Sequence, residues 1–468
     1  MDKFTKIVAT IGPATESETS IKELILAGVD VFRFNFKHGT LDWHNKTIQR
    51  VNNVAKKLNK SVGTLIDLQG PEIRLIMSQD EIDISLNEEI PFGKEAIKNA
   101  GTKGISFTHT QILPYLKDSQ KIIIDAGAFE FILNKKGRKH FLLSLSKGEL
   151  KNKKSVTIPG SNFPAPVLVE RDFEGLKLAA RHEVDFVALS FVRSAKDIQL
   201  VREKMKKYSV YAKIVAKIET KKAIDDLDNI IEEADLVMVA RGDLGVEMPL
   251  EEVPYYQKII IKKSIQKNKP VITATQMLQS MEHHPHPTRA EVSDVANATY
   301  DLTDAVMLSG ETALGEYPVE SVRFMSKTVG FNEKKNTVDS RVRFNFELKD
   351  YEELLADSAY GLLLQTQKNK LHISGFLVFS ETGTMARLVS RYRPQVPIFT
   401  FVPSAAVGEA LTVNYAVRAF VHKIPAGQRE ILQNDVREAI ENLLSQNLIK
   451  KKDSLIVLHG DTITIVTV

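Results

Sequence analysis

The chain has 468 residues, 43% hydrophobic and 26% charged, with a formal net charge of +4, which is ordinary for a globular protein of about three domains. A charge so close to balance gives no reason to expect a nucleic-acid partner, and short basic clusters such as Lys204, Lys206 and Lys207, or 450–452, read as solvated faces. The absence of cysteine excludes disulfides, thiolate metal centres and a cysteine nucleophile, and no run approaches the roughly 18 apolar residues of a membrane span, so a cytoplasmic protein with no membrane partner is expected.

Residues 1–12 carry a strand-like run, not a basic stretch leading into an apolar segment, so no leader is expected. From there, short β-rich segments alternate with longer stretches of helical periodicity. The strands fall at 6–11, 29–35, 62–67, 185–191, 213–219, 235–240, 270–275 and 304–309, with helical stretches such as 19–27 and 249–267 between them. Repeated strand–helix units imply a parallel sheet, and eight of them fit a closed (β/α)8 TIM barrel of the α/β class. The rhythm breaks between 67 and 185. There 82–84, 121–124, 129–133 and 155–158 read as short strands parted by Gly, Asn and Lys turns, a small β-barrel domain inserted at a loop tip. After about residue 340 a C-terminal α/β domain begins, with a helix at 351–368 and strands at 375–379, 398–401 and 455–458. The expected division is 1–70 with 171–340 for the barrel, 71–170 for the insert and 341–468 for the last domain.

A parallel barrel carries its site at the C-terminal ends of its strands, and the polar residues collect there. In chain order they are Gly12-Pro13, Arg33 and Asn35, Asp67, Ser190-Phe191, Lys217 and Glu219, Arg241-Gly242-Asp243, Thr275-Gln276, and Ser309-Gly310-Glu311. Lys217 and Glu219 flank Ile218, so the two-residue period of a strand aims both at one face. An inward lysine and glutamate are costly unless paired or bound to something. One reading is a structural ion pair. With Asp243 on the neighbouring strand end, the other is a Mg2+ site, which uses one or two carboxylates and keeps positions open. A fixed cation at Lys217, a planar donor fork at Arg33 and a glycine at a helix start at Gly242 suit phosphoryl transfer. Thr288 and Glu291 have capping-box spacing and read as a helix start, not as chemistry.

The strings KIVATIGPAT, FRFNFKHG, GPEIR, ALSFVRS, AKIET, MVARGDLGVEMP, VITATQML, PTRAEVSDVANA and DAVMLSGETALGEYP run in that order along nearly the whole chain. Together they resemble the pyruvate kinase family. The resemblance implies transfer of a phosphoryl group from phosphoenolpyruvate to ADP, giving pyruvate and ATP in glycolysis. It implies Glu219 and Asp243 as ligands of Mg2+ (or Mn2+), Lys217 as the group stabilising the phosphoryl in transit, and Arg33 on the phosphate. Backbone amides at Gly242 and Asp243 would hold the substrate carboxylate, with Thr275 beside it and near the path of enolate protonation. Arg33, His38, Arg74 and Arg171 would line the nucleotide side. Arg171 stands where the family has a lysine, keeping the charge and changing the geometry. The inserted domain would close over the site and exclude water. A homotetramer is expected from the resemblance alone.

Two departures bear on cofactors and effectors. The commonest family form binds K+ through a serine two residues after the asparagine of strand two and a threonine after the strand-three aspartate; here these are Lys37 and Leu68. Leu68 and Gln69 resemble the potassium-independent branch, although that branch usually carries a lysine where this chain has Glu72. If strand two runs as far as 37, Arg33, Asn35 and Lys37 share a face, and the Lys37 ammonium lies near Asn35 and Asp67 as a built-in monovalent cation, so K+ is not required. Ser380-Glu381-Thr382-Gly383-Thr384 resembles a phosphate-binding effector loop, but the second, Gly-rich loop near the C-terminus is absent. A sugar-monophosphate effector, or none, is expected in place of fructose 1,6-bisphosphate. Two other readings stay open: a Mg2+-dependent pyruvate-enolate aldolase or lyase on the same barrel, and a non-catalytic regulatory homologue.

Overall fold

The computed structural model describes residues 3–98, 101–161, 163–336, 338–422 and 433–468. Eight parallel strands close a barrel: Lys6–Thr10, Val31–Asn35, Gly63–Asp67, Phe186–Leu189, Lys213–Ile218, Leu236–Ala240, Val271–Ala274 and Ala305–Leu308. They follow one another around the ring in chain order, and the first pairs with both the second and the last. Both faces of each strand are buried, so the sequences are near-continuous apolar runs and only side-chain parity separates inside from outside. Val8, Val31, Leu65, Ala188 and Val215 pack inside the barrel, whereas Ile7, Phe32, Ile66, Val187 and Ile214 pack outward against the helices. Two residues beyond the inward set, towards the C-terminal ends, stand Thr10, Arg33, Asp67, Ser190 and Lys217. The barrel is therefore apolar through its lower layers and polar at its mouth.

Between Asp67 and the helix Glu170–Arg181 the chain forms a seven-stranded sheet. Its strands run in the order Val156–Thr157, Lys121–Ile124, Phe129–Lys136, Lys139–Ser144, Glu89–Phe92, Ile105–Phe107 and Leu75–Met77. A backbone bridge between Arg74 and Ser155 links its two edges into a barrel-like closure. Glu81–Ile84 and Gly148–Lys151 make a separate two-stranded ribbon. This unit has its own core, including Phe107, Phe131 and Leu142. Several of these strands escape the sequence reading because a run of three or four residues is too short for a two-residue period to register.

The last unit is a five-stranded sheet in the order Val417–Val421, Ile398–Val402, Gly375–Phe379, Ser454–His459 and Thr462–Thr467, parallel except for the final edge strand. The helix Tyr351–Lys368 packs on it through Ala359, Tyr360 and Leu363. The strands at 417–421 and 462–467 were not assigned from the sequence. Their burial is partial, so neither reads as a buried apolar run. A buried pair joins this unit to the barrel: Arg393 Nη2 lies 2.6 Å from Asp304 Oδ2, and both side chains are 3% exposed.

Candidate active site

At the barrel mouth, Asp67 sits at the centre of a buried polar set. Its Oδ2 accepts from Arg33 Nε at 2.7 Å and lies 2.7 Å from Arg33 Nη2, a two-pronged pairing. Arg33 Nη1 donates to Thr10 Oγ1 at 2.9 Å. Across the interior, Lys217 Nζ lies 3.3 Å from Asp67 Oδ1 and 2.7 Å from Glu219 Oε1, and it donates to Ser190 Oγ at 2.8 Å. Ser190 Oγ also faces Asp67 Oδ1 at 3.3 Å and Leu68 O at 2.8 Å. Strand parity brings Arg33, Asp67, Lys217 and Glu219 together as the sequence predicts. It also brings in Ser190, one of the polar strand-end residues, and Thr10, which the sequence reading did not place in the site.

The charges in this set are not equally compensated. Burial acts to raise the Asp67 carboxyl, but Lys217 and Arg33 outweigh it and hold Asp67 below the ordinary carboxylate range. Burial works against the Lys217 ammonium too, and the carboxylates of Asp67, Glu219 and Asp243 outweigh it, leaving Lys217 firmly protonated. Glu219 ends the other way. Burial pushes it up, Asp243 adds to that, and Lys217 recovers only part of the difference. Phe191 N donates to Glu219 Oε2 at 2.6 Å. Oε1 is buried and, although close to Lys217 Nζ, has no hydrogen bond of acceptable geometry. A buried carboxylate that stays raised despite its lysine partner, beside a second carboxylate, fits a hard divalent cation.

Asp243 lies in the first turn of the short helix Arg241–Glu247, which starts where strand six ends. Gly242 N donates to Thr275 Oγ1 at 2.8 Å. Thr275 and Gln276 both take left-handed backbone, φ 69° and 53°, a costly conformation for a β-branched residue. Arg241 holds it in place. Its Nη2 donates to Thr275 O at 2.6 Å, its Nε to Ala274 O at 3.2 Å, and its Nη1 to Asp294 Oδ1 at 2.7 Å. Arg241 too went unassigned in the sequence reading, for nothing in the string shows that it turns away from the barrel mouth to clamp the next strand end.

Strand two stops at Asn35, and Asn35 Oδ1 accepts from Lys37 N at 3.1 Å. The condition on which Lys37 would share a strand face with Arg33 and Asn35, that the strand run as far as 37, is therefore not met. The Lys37 ammonium pairs with Glu72 Oε1 at 3.5 Å, not with Asp67, and lies 5.1 Å from the centre of the Phe191 ring. Its charge still acts on Asp67 and Glu219. Glu72 also holds Arg74, at 2.8 Å from Nη2. Arg171 donates to the carbonyls of Phe36, His38 and Gly39 at 2.5, 3.2 and 2.5 Å. His38 is lowered in pKa by burial first and by Arg74 and Lys37 next. Ser380 to Thr384 lie elsewhere, after the C-terminal strand Gly375–Phe379. There Gly383 has φ 78°, the hydroxyls of Thr382 and Thr384 meet at 2.8 Å, and Arg387 Nη2 donates to Thr384 Oγ1 at 2.9 Å.

Comparison with known proteins agrees over the whole chain. The family model "Pyruvate kinase, barrel domain" matches residues 2–322, and "Pyruvate kinase, alpha/beta domain" matches residues 363–467. A pyruvate kinase of Bacillus licheniformis is 37% identical over 466 residues, covering 98% of this chain and 77% of that protein. One of Geobacillus stearothermophilus is 36% identical over 465 residues, covering 98% and 78%. The crystal structure of a pyruvate kinase from Cryptosporidium parvum superposes with a TM-score of 0.91 at 30% identity, covering 100% of this chain and 96% of that one.

Asp172 ties both chain crossings of the inserted unit. Its Oδ1 accepts from Gln69 N at 2.8 Å, and its Oδ2 from Gly70 N at 3.2 Å and Val169 N at 2.9 Å. Asp172→Asn replaces one acceptor oxygen by a donor. The amides of Gln69, Gly70 and Val169 should then exchange hydrogen at least about tenfold faster while those of Ile66 and Val187 do not change. Uniform protection in both proteins would contradict this role.

Proposed function

The chain belongs to the pyruvate kinase family, and from that premise we propose how its own residues carry the transfer of the phosphoryl group of phosphoenolpyruvate to ADP, which gives pyruvate and ATP. The observation that carries the assignment is the unequal compensation of the two buried carboxylates. Asp67 is held low by Lys217 and Arg33, whereas Glu219 stays raised although Lys217 Nζ lies 2.7 Å from its Oε1. Glu219 and Asp243 would hold Mg2+ (or Mn2+), which when bound supplies charge neutralisation on the transferring oxygens. Lys217, fixed by Asp67, Glu219 and Ser190, would present its ammonium to the phosphoryl group in transit. Arg33, steered by Asp67 and Thr10, would place its fork on the phosphate. The amides of Gly242 and Asp243 would take the substrate carboxylate. Gly242 N is bonded to Thr275 Oγ1 in this structure, so a carboxylate arriving there would release the hydroxyl to turn towards the substrate and the protonation path.

The nucleotide would lie along Arg33, His38, Arg74 and Arg171, with Arg171 also bracing the 36–39 loop through its carbonyl contacts. We assign residues 1–70 and 171–340 to the catalytic barrel, 71–170 to a lid that closes over its mouth, and 341–468 to the C-terminal domain. We also take the assembly to be a cytoplasmic homotetramer; the family resemblance supports that reading.

Lys37 supports a potassium-independent enzyme. It stands where the commoner family form has a K+ ligand, and its charge reaches Asp67 and Glu219 while Glu72 holds it in place. The loop of Ser380, Thr382, Gly383 and Thr384 supports at most a monophosphate effector, because a second phosphate-binding loop is missing after His459.

Lys217→Met should lower kcat at least about 10³-fold with unchanged circular dichroism, read as ATP formed from phosphoenolpyruvate and ADP; retention of more than about a tenth of the activity would overturn the assignment. In a K+-free buffer balanced with tetramethylammonium, turnover should stand near its maximum, and a strong K+ requirement would refute the role of Lys37. Sugar monophosphates titrated at sub-saturating phosphoenolpyruvate should shift the velocity if the loop binds them, whereas sigmoidal kinetics abolished by fructose 1,6-bisphosphate would contradict the monophosphate reading.

A further inference from the structure

A second set of metal-binding side chains lies outside the barrel mouth, at the C-terminal edge of the last sheet. His422 directly follows the strand Val417–Val421. Facing it, the helix Gln433–Ser445 carries Asp435 and Glu438, three residues apart and so on one face. His422 Nε2 lies 3.4 Å from Asp435 Oδ1. One donor atom from each of His422, Asp435 and Glu438 lies within 4.8 Å of the other two. A cation held at about 2.1 Å by nitrogen and oxygen donors spaces its ligands roughly 3–4 Å apart. These three therefore need only small side-chain rotations to close around one ion.

The surroundings favour an ion over a chance grouping. His459, at the end of the strand Ser454–His459, is lowered in pKa by burial, with Asp435 and Glu381 acting against that. The rings of His422 and His459 both stand edge-on to Phe379, at 6.1 and 5.9 Å, so a second imidazole stands near the cluster. Strand Gly375–Phe379 pairs with Ile398–Val402 on one side and Ser454–His459 on the other. The switch point of this open parallel sheet lies between Gly375–Phe379 and Ser454–His459, where such sheets bind ligands, and His422 ends the outer strand two places away.

We propose that His422, Asp435 and Glu438 bind a borderline transition-metal dication of the Zn2+ type, tying the strand at 417–421 to the helix at 433–445 beside the 380–384 loop. One imidazole with two carboxylates is the donor set of such ions, whereas Mg2+ prefers an all-oxygen shell rich in water.

The full chain, stripped of metal and then saturated with Mg2+, is titrated with Co2+ while its visible d–d absorption is followed. Site occupancy predicts one chromophoric Co2+ per chain that Zn2+ displaces and that persists in Glu219→Gln. Affinity should fall at least about tenfold in His422→Ala and in Glu438→Gln, and Mg2+-supported turnover should be unchanged in both. Absence of the chromophore, or the same affinity in His422→Ala and Glu438→Gln as in the unaltered chain, overturns the proposal.

Discussion

An ammonium group shared by two buried carboxylates and a hydroxyl fixes the geometry of the barrel mouth. Lys217, Asp67, Glu219 and Ser190 come from strands three, four and five and from the segment just beyond strand five, and Arg33 adds strand two. Removing such charges from water costs several kcal/mol for each ion unless partners and hydrogen bonds return it. Here the order Arg33, Asp67, Lys217, Glu219 alternates in sign, so each member up to Lys217 is flanked by its opposite. The arrangement needs a closed ring. Asp67 and Lys217 are separated by strand four, and only the curvature of the barrel brings them within 3.3 Å across the interior, with Ser190 filling the step between. The row ends on Glu219, where the charge of Asp243 acts against it and that of Lys37 for it.

The alternation continues outward. Beyond the barrel, Lys37, Glu72 and Arg74 form a second string from the loop after strand two to the start of the inserted unit. Exposure rises along it: the Lys37 side chain is 17% exposed and that of Arg74 35%. Solvent screens the outer members more, so they can exchange partners when a polyanion arrives, while the inner row stays fixed. Asp172 completes the division of labour. Burial raises its carboxyl, and the amides of Val169, Gly70 and Gln69 pull against that. One side chain thus ties together both chain crossings between the barrel and the inserted unit.

How much of this could be read from residues alone follows from which forces are local. The eight barrel strands were legible because each is a short β-rich run, and Lys217 and Glu219 declared a common face through period two. The same parity rule would have found Thr10, two places on from Val8. It could not find Arg241, since a side chain turned towards the next strand end depends on the non-local position of Asp294 and the Thr275 carbonyl. Strand two, read as 29–35, does stop at Asn35. Asn35 caps its own strand through a side-chain bond to Lys37 N, a local contact that competes with the ladder. That bond swings the Lys37 ammonium from Asp67 to Glu72. The insert was legible as β-structure but not strand by strand, and the edge strand at 462–467 lacks the buried run that marks a strand in sequence.

The C-terminal domain belongs to the same charge economy as the mouth, at the opposite end of the barrel. Asp304 stands just before strand eight. Its Oδ2 accepts from Val271 N at 3.0 Å, inside the barrel, and from Arg393 Nη2 of the last domain, while its Oδ1 accepts from Tyr415 N at 3.2 Å. Burial raises this carboxyl, and Arg393 acts against that. Glu333, raised by burial as well, takes the amides of Phe4 and Thr5 at the start of strand one. Without Arg393, Asp304 would be a buried charge with amide donors only, and breaking a buried pair from one side costs about 3–5 kcal/mol. The barrel sequence is thus written on the assumption that the last domain is present. A displacement of that domain must either carry the base of strand eight with it or separate Asp304 from Arg393.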